Sequence, residues 1–136
     1  MSEKIQLQYI GNLRTISKHE RSGKTLQTDA PIDNNGMGES FSPTDLVVAG
    51  LGSCVLTVMA IAIKKYDKDL GDVDLSAVKK MSENPRMISS IDIDIYFKSN
   101  FSNKEKTILE RAAHTCPVHR TISNDVDIQI KFRYLD

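Results

Sequence analysis

The chain has 136 residues, of which 40% are apolar and 26% are charged, a balance typical of a soluble globular protein. This length predicts a single domain over residues 1–136 with its own hydrophobic core. The 18 basic residues equal the 18 acidic residues and are interspersed with them. The sequence therefore excludes a nucleic-acid binder that depends on a basic face.

The first residues, MSEKIQLQYIGNLRT, lack the apolar core of a secretory signal peptide. We therefore expect a cytoplasmic protein in a reducing compartment. There, the two cysteines, Cys54 and Cys116, are more often reactive or simply buried than joined in a structural disulfide.

The N-terminal segment predicts a three-stranded antiparallel meander, because apolar and polar residues alternate between tight turns. The turns are expected at Gly11-Asn12 and Ser22-Gly23, and a polar loop follows at residues 31–40. The predicted strands are Ile5–Ile10, Leu13–Glu20 and Lys24–Asp29.

The next segment, FSPTDLVVAGLGSCVLTVMAIAIKK, predicts one long helix. Ser42 suits the N-cap, Pro43 suits the first helical position, and Asp45 is an acid in the first turn. We expect the helix to end near Lys65, where basic side chains suit the negative end of the helix dipole.

The remaining chain predicts two strands, two helices and a final strand. The capping box Ser102–Glu105 starts a helix to about His114, and Cys116-Pro117 starts a short helix. Alternation predicts strands within residues 72–83, 90–98 and 126–135. The order β-β-β-α-β-β-α-α-β predicts an α+β fold, with antiparallel sheets from the N- and C-terminal strands around a long central helix.

Two short motifs point to ligands without completing a site. SGKT ends like a phosphate-binding loop, but Lys18 stands where that motif needs a glycine, and a strand follows instead of a helix. HTCPVH brings His114, Cys116 and His119 together, yet no second pair with zinc spacing exists. The sequence therefore predicts neither a nucleotide nor a metal.

The long helix has a membrane alternative, because Leu46–Ile63 is 18 residues without a charge. Glycines and hydroxyl residues dilute its hydrophobicity, which favours burial in a protein core. A sheet covers only one face of a helix, and the small residues Ala49, Gly50, Gly52 and Ser53 allow close approach on the other. We therefore expect a homodimer in which two copies of this helix meet.

The cysteines differ in setting. Cys54 lies in mid-helix above Gly50, which leaves a small pocket, although a buried cysteine is often only a small core residue. Cys116 is an N-cap, so backbone N–H groups, with His119 and Arg120 nearby, are expected to lower its pKa. A Cys54 thiolate would need a cation from elsewhere, and the candidates are Arg14, Arg21, Arg86 and Arg120. Two such thiols suit dithiol redox chemistry.

FSPTDLVVAGLGSC and AAHTCPVHRTI resemble the two cysteine motifs of the OsmC/Ohr family, most closely its general OsmC-like branch. The resemblance implies an intertwined α+β homodimer and a thiol-dependent peroxidase for organic hydroperoxides. It implies that Cys54 attacks the peroxide and that Cys116 resolves the product, reversing the order that local acidity favours. It implies no bound cofactor or metal, an external dithiol or lipoyl-type reductant, and no nucleic-acid or membrane partner.

The sequence also departs from the family pattern. Ohr-type members place a glutamate directly after the motif's proline, whereas Thr44 and then Asp45 follow Pro43 here. Asp45 is the candidate substitute, or only a first-turn acid that caps the helix. Arg14 is the candidate for the family's N-terminal arginine, or an exposed strand residue, and Glu39 is a weaker acid candidate.

Two other functions stay open at this point. One is a non-catalytic OsmC-like dimer that binds a small hydrophobic ligand, which the missing glutamate favours. The other is a hydrolase in which His119 activates Cys116, since both lie in one helical turn.

Overall fold

The computed structural model describes residues 2–135 and has the predicted order of strands and long helices. The chain divides into two compact units, Met1–Val47 and Val48–Asp136. The mixed α+β class is confirmed. That the two units form a single domain stays a prediction.

The smaller unit contains the predicted meander, with strand order β1-β2-β3 and antiparallel pairing throughout. Its first turn is Asn12-Leu13, one residue later than predicted, because the register shifts between Tyr9 and Gly11. Both turn residues have positive φ, the geometry of a tight hairpin turn. The strands are β1 (Ile5–Gly11), β2 (Arg14–His19) and β3 (Thr25–Asp29), and an unpredicted 3-10 helix follows at Ile32–Asn34.

Arg14 and Asp29 join the meander to the loop that follows it. They face each other in the register of β2 and β3, and an Arg14 Nη atom lies 3.4 Å from Asp29 Oδ2. Asp29 Oδ2 also accepts a 2.9 Å hydrogen bond from the Glu39 backbone N–H, and the Glu39 carboxylate pairs with Arg14. Asp29 is fully buried, so one carboxylate holds both the arginine and the loop.

Helix α1 (Pro43–Lys64) begins after Ser42, as the sequence predicted, and the structure adds a reciprocal cap between Ser42 and Asp45. The Ser42 hydroxyl accepts a 3.1 Å hydrogen bond from the Asp45 N–H, and the Asp45 carboxylate accepts a 2.9 Å bond from the Ser42 N–H. Asp45 thus satisfies a backbone donor at the helix start.

In the larger unit, three strands form a sheet in the order β4-β5-β6. β4 and β5 pair antiparallel, but β6 pairs parallel to β5, so the prediction of wholly antiparallel sheets is wrong for this last strand. Parallel neighbours need a long crossover, and α2 and α3 supply it. The elements are β4 (Val73–Ser82), β5 (Met87–Phe97), α2 (Asn103–His114), α3 (Pro117–Ile122) and β6 (Asp127–Arg133).

One stripe of α1 is buried in the core of the larger unit. Its side chains recur every four residues and have no exposed surface: Leu51, Val55, Met59 and Ile63. Gly52 is buried beside them, and a Cβ there would lie 3.1 Å from a methyl of Leu75 on β4. The assignment of Gly52 to a contact between two copies is therefore corrected, because it serves packing within the chain.

The other side of α1 is open. Ala49, Ser53 and Thr57 are exposed, and Ile61 is 56% exposed. Within residues 2–135, α1 is the one helix whose length and composition would suit a membrane span, and core helices of soluble proteins share both properties.

We predict that Asp29 makes the protein sensitive to acid. The N–H of Glu39 and then the Arg14 guanidinium lower the pKa of Asp29, whereas an unfolded aspartate has a pKa of about 3.9. The ionised carboxylate therefore contributes stability above that pH, and the contribution is lost as the pH falls toward the folded pKa. In Asp29→Asn, the free energy of unfolding should decline less steeply below about pH 4.5, measured by urea unfolding at several pH values.

Asp125→Asn is the control for this experiment, because Asp125 is exposed. It should keep the wild-type pH dependence. An unchanged slope in Asp29→Asn would show that the buried carboxylate is not the acid-sensitive group.

Candidate active site

The two cysteine side chains meet in the larger unit. Cys54 and Cys116 are 62 positions apart in the chain, yet their side chains lie close enough to interact. Both are free thiols, and they differ in exposure, because Cys54 is partly exposed and Cys116 is fully buried. The dithiol pair expected from the sequence is therefore formed by the fold.

The packing of α1 sets the position of Cys54. Cys54 lies between Leu51 and Val55, which are both buried, so it sits at the edge of the buried stripe. Space beside it is open one turn earlier, because a Cβ added at Gly50 would meet no atom within 4 Å. The pocket that the sequence predicted above Gly50 stays a prediction.

Cys116 is the N-cap of α3, as predicted, with Pro117 at the start of the helix. Its Sγ accepts a hydrogen bond from the His119 backbone N–H at 3.3 Å. The prediction of an acidic thiol here is wrong, because burial raises the pKa of Cys116 and outweighs this N–H, and the contact with Cys54 raises it further. The thiol form of Cys116 is thus favoured in the resting protein.

The His119 side chain does not add the expected positive charge near Cys116. Burial lowers the pKa of His119, and the neighbouring His114 lowers it further. The two rings lie 5.7 Å apart, edge to face. A neutral His119 contributes its backbone N–H to Cys116, so the contact in the structure is structural support and does not favour a Cys–His hydrolase.

The other two candidate residues lie in the smaller unit. Arg14 is held by Asp29 and Glu39 and is 27% exposed at its side chain, so it is not a lone surface arginine. Its Nε is buried without a hydrogen-bond partner among residues 2–135. Asp45 caps α1 through Ser42.

Sequence reasoning missed Asp29 as the partner of Arg14. The pairing of Lys18 with Thr25 sets the register of β2 against β3 and places Arg14 opposite Asp29. Counting outward from the expected two-residue turn at Ser22-Gly23 places Pro31 opposite Arg14 instead, so the longer loop of the structure hid this pair. The same structure holds no group of three or more His, Cys, Asp or Glu side chains within residues 2–135 that could bind a metal ion.

Comparison with known proteins shows a family relationship. The family model described as OsmC-like protein matches residues 36–131. A solved protein from Psychrobacter arcticus 273-4 is 35% identical with a TM-score of 0.89, over 98% of this chain and 96% of that one. That protein is provisionally described as an osmotic stress induced and detoxification response protein.

More distant solved structures share the fold. The organic hydroperoxide resistance protein OsmC from Legionella pneumophila is 16% identical with a TM-score of 0.78, over 98% of this chain and 97% of that one. The organic hydroperoxide resistance protein OhrB of Bacillus subtilis is 13% identical with a TM-score of 0.70, over 98% of both chains. No curated protein sequence matches the chain. Because the family model covers most of the sequence, this chain belongs to the OsmC-like family.

Proposed function

We propose that the protein is a thiol-dependent peroxidase that reduces organic hydroperoxides, with Cys54 as the attacking thiol and Cys116 as the resolving thiol. The observation that carries the proposal is the contact between a partly exposed and a fully buried cysteine. A hydroperoxide from solution should reach the partly exposed Cys54 before the buried Cys116. Family membership supports the same assignment, since two structural relatives are named organic hydroperoxide resistance proteins.

The first step oxidises Cys54. Its thiolate attacks the outer oxygen of ROOH, the O–O bond breaks, and the leaving alkoxide takes a proton to become the alcohol ROH. Cys54 then carries a sulfenic acid.

The second step uses Cys116. Its sulfur attacks the Cys54 sulfur, the S–O bond breaks, and one water is released as the disulfide forms. Because the two side chains already lie close together, little movement is needed. Burial keeps Cys116 protonated and away from peroxide until its partner is oxidised.

The third step regenerates the enzyme. An external dithiol, of the small or lipoyl type, exchanges with the disulfide, leaves both cysteines as thiols and becomes a disulfide itself. This cycle requires no bound cofactor or metal, and it suits a reducing compartment such as the cytoplasm.

We assign Arg14 the role of a cation that stabilises negative charge during peroxide attack, and Asp45 that of the acid near the motif's proline. Arg14 is assigned by its N-terminal position, where the family places an arginine, and Asp45 is assigned as the substitute for the glutamate that this chain lacks after Pro43. Asp29 and Glu39 orient the Arg14 guanidinium, which an electrostatic role requires. The capping contact with Ser42 gives Asp45 a role at the helix start as well.

We also propose that the protein is a homodimer. The open side of α1 carries Ala49, Ser53 and Thr57, whose small side chains permit close helix packing. A second α1 covering this side would bury an apolar helix that a single chain leaves partly exposed.

A second candidate function is the binding of a small hydrophobic ligand without catalysis. It is favoured by a cavity of about 490 Å³ in the smaller unit, whose apolar lining includes Ile5, Leu7, Leu26 and Leu46. A hydrophobic molecule that co-purifies with inert thiols would support this alternative.

We predict that the two cysteines fail in different ways when replaced. Cys54→Ser should lose DTT-dependent consumption of cumene hydroperoxide. Cys116→Ser should consume about one equivalent without a reductant and retain a sulfenic acid that dimedone traps. The wild type should instead form an intramolecular disulfide, measured by mass spectrometry as the loss of two hydrogens.

Ser53→Ala is the control, because Ser53 is exposed and adjoins Cys54. It should retain turnover. Full turnover by Cys54→Ser would exclude the proposed mechanism, whatever the state of Cys116.

We predict that Arg14→Lys lowers the second-order rate constant of Cys54 with cumene hydroperoxide by roughly a hundredfold, the usual cost of losing one group that stabilises developing charge. Lysine keeps the charge but loses the planar fork that two carboxylates hold. Stopped-flow kinetics measures the constant, and Arg21→Lys, an exposed arginine, should match the wild type. Equal rates for all three proteins would remove Arg14 from the mechanism.

We predict that the protein sediments as a dimer and that Ser53→Arg shifts it toward the monomer, because a charged side chain cannot be buried unpaired between two helices. Analytical ultracentrifugation measures this. Asn124→Arg, at another exposed position, should stay dimeric. A wild-type monomer at micromolar concentration would contradict the proposed dimer.

A further inference from the structure

The Cys116 sulfur has a second role besides its place in the dithiol pair. It caps α3, where Sγ accepts a hydrogen bond from the His119 backbone N–H at 3.3 Å. A side-chain acceptor at this position satisfies one of the free N–H groups with which every helix begins. The atom that would enter a disulfide is therefore also the atom that holds the start of this helix.

Helix α3 is held weakly by the rest of the larger unit. It has six residues, and none of them is fully buried. Val118 and Ile122 pack against the core and are only partly buried. A helix of this length is unstable by itself, so α3 depends on these two contacts and on its cap.

The other two helices at the dithiol are held more firmly. Cys54 lies in a helix of 22 residues, between Leu51 and Val55, which have no exposed surface. Cys116 follows α2, in which Ala113 has no exposed surface. If the backbone moves when the two sulfurs join, the movement is expected in α3, because only this helix lacks a buried side chain.

A disulfide disturbs the cap. Its formation brings two sulfurs from non-bonded contact to about 2 Å, so that one or both of them move by about 1 Å. The packing of α1 holds Cys54, and the Cys116 sulfur therefore makes most of this movement. The sulfur is then drawn toward Cys54, and the His119 N–H loses its acceptor.

We propose that the Cys54–Cys116 disulfide loosens α3, so that Cys116, which is fully buried in the reduced protein, becomes accessible in the oxidised protein. The inference rests on the proposed peroxidase function and adds a structural change to its cycle. In the oxidation, each thiol gives up one hydrogen, and the hydroperoxide becomes the alcohol and one water. The change is confined to α3 and leaves the core of the larger unit folded.

The loosening of α3 gives the reductant access to the disulfide. A dithiol must reach a sulfur of the disulfide in order to reduce it, and Cys116 has no exposed surface in the reduced protein. The resolving sulfur is thus protected while it is a thiol and is exposed only after the peroxide has reacted.

The test compares amide hydrogen exchange of the reduced and the disulfide forms by mass spectrometry. The disulfide is made with cumene hydroperoxide and, separately, with diamide, which takes up two hydrogens from a dithiol without any enzyme activity. The amides of residues 118–123 should exchange roughly threefold faster after oxidation, as expected for the loss of a cap, and those of α2 should be unchanged. Equal or slower exchange in α3, or no disulfide with diamide, would overturn the inference. A disulfide that forms with diamide but not with hydroperoxide contradicts the peroxidase proposal alone, and the exchange of that sample still decides the behaviour of α3.

Two variants test the cap in the reduced protein, where no disulfide is needed. Cys116→Ala removes the acceptor and should raise exchange in α3 by a similar factor, whereas Cys116→Ser keeps a capping side chain and should not. Ser102→Ala is the matched control, because Ser102 caps α2. It should raise exchange at the start of α2 and keep the redox difference in α3. Exchange in Cys116→Ala as slow as in the wild type would show that the cap does not hold α3 and would contradict the proposal.

The His119 ring supplies an independent signal. In the reduced protein, burial lowers the pKa of His119, and the neighbouring His114 lowers it further. When α3 loosens, the ring gains contact with water, so the pKa of His119 should rise toward its ordinary value. NMR titration of the reduced and diamide-oxidised proteins measures this change. The same His119 pKa in both forms would show that α3 stays in place.

Discussion

The burial of one stripe of α1 determines where the reactive groups can be. Leu51, Val55, Met59 and Ile63 have no exposed surface, and Gly52 lets the helix approach β4 closely. Once that stripe is fixed, the rotation of the helix is fixed, and Cys54 lies at the boundary between core and solvent. A different rotation of the helix would change the exposure of Cys54 and its distance from Cys116. The packing of α1 therefore sets the position of Cys54.

The two sulfurs show how burial and hydrogen bonding oppose each other. A position at a helix N-terminus normally favours a thiolate, and the His119 N–H is placed to help. Burial removes water from the sulfur and destabilises the thiolate by more than the N–H stabilises it, so the pKa of Cys116 rises. In the proposed cycle, an acidic resolving thiol would compete for peroxide, whereas a buried, protonated thiol would react only after its partner is oxidised. Desolvation is the largest cause of the raised pKa of Cys116, and the contact with Cys54 adds to it.

Local patterns predicted most elements and caps. The alternation in β5, the reciprocal pair at Ser42 and Asp45 and the capping box at Ser102 each depend on neighbours a few residues away. The parallel pairing of β6 was missed, because strand direction is set by a crossover and not by the strand itself. The sequence paired the two thiols by their chemistry but contained no direct evidence of their proximity. Their contact and the burial of Cys116 arise from long-range packing, which no motif encodes, and the resemblance supplied their roles.

The separation of the two cysteines along the chain has a consequence for folding. A disulfide between them would close a loop containing β4, β5 and α2, since all three lie between residues 54 and 116. Closing a loop of this length removes conformational freedom from the unfolded chain, worth roughly 4 kcal/mol in the chain-entropy description. The oxidised protein would then be harder to unfold than the reduced one. Each encounter with an oxidant would leave the molecule more resistant to heat and proteolysis until a reductant arrives.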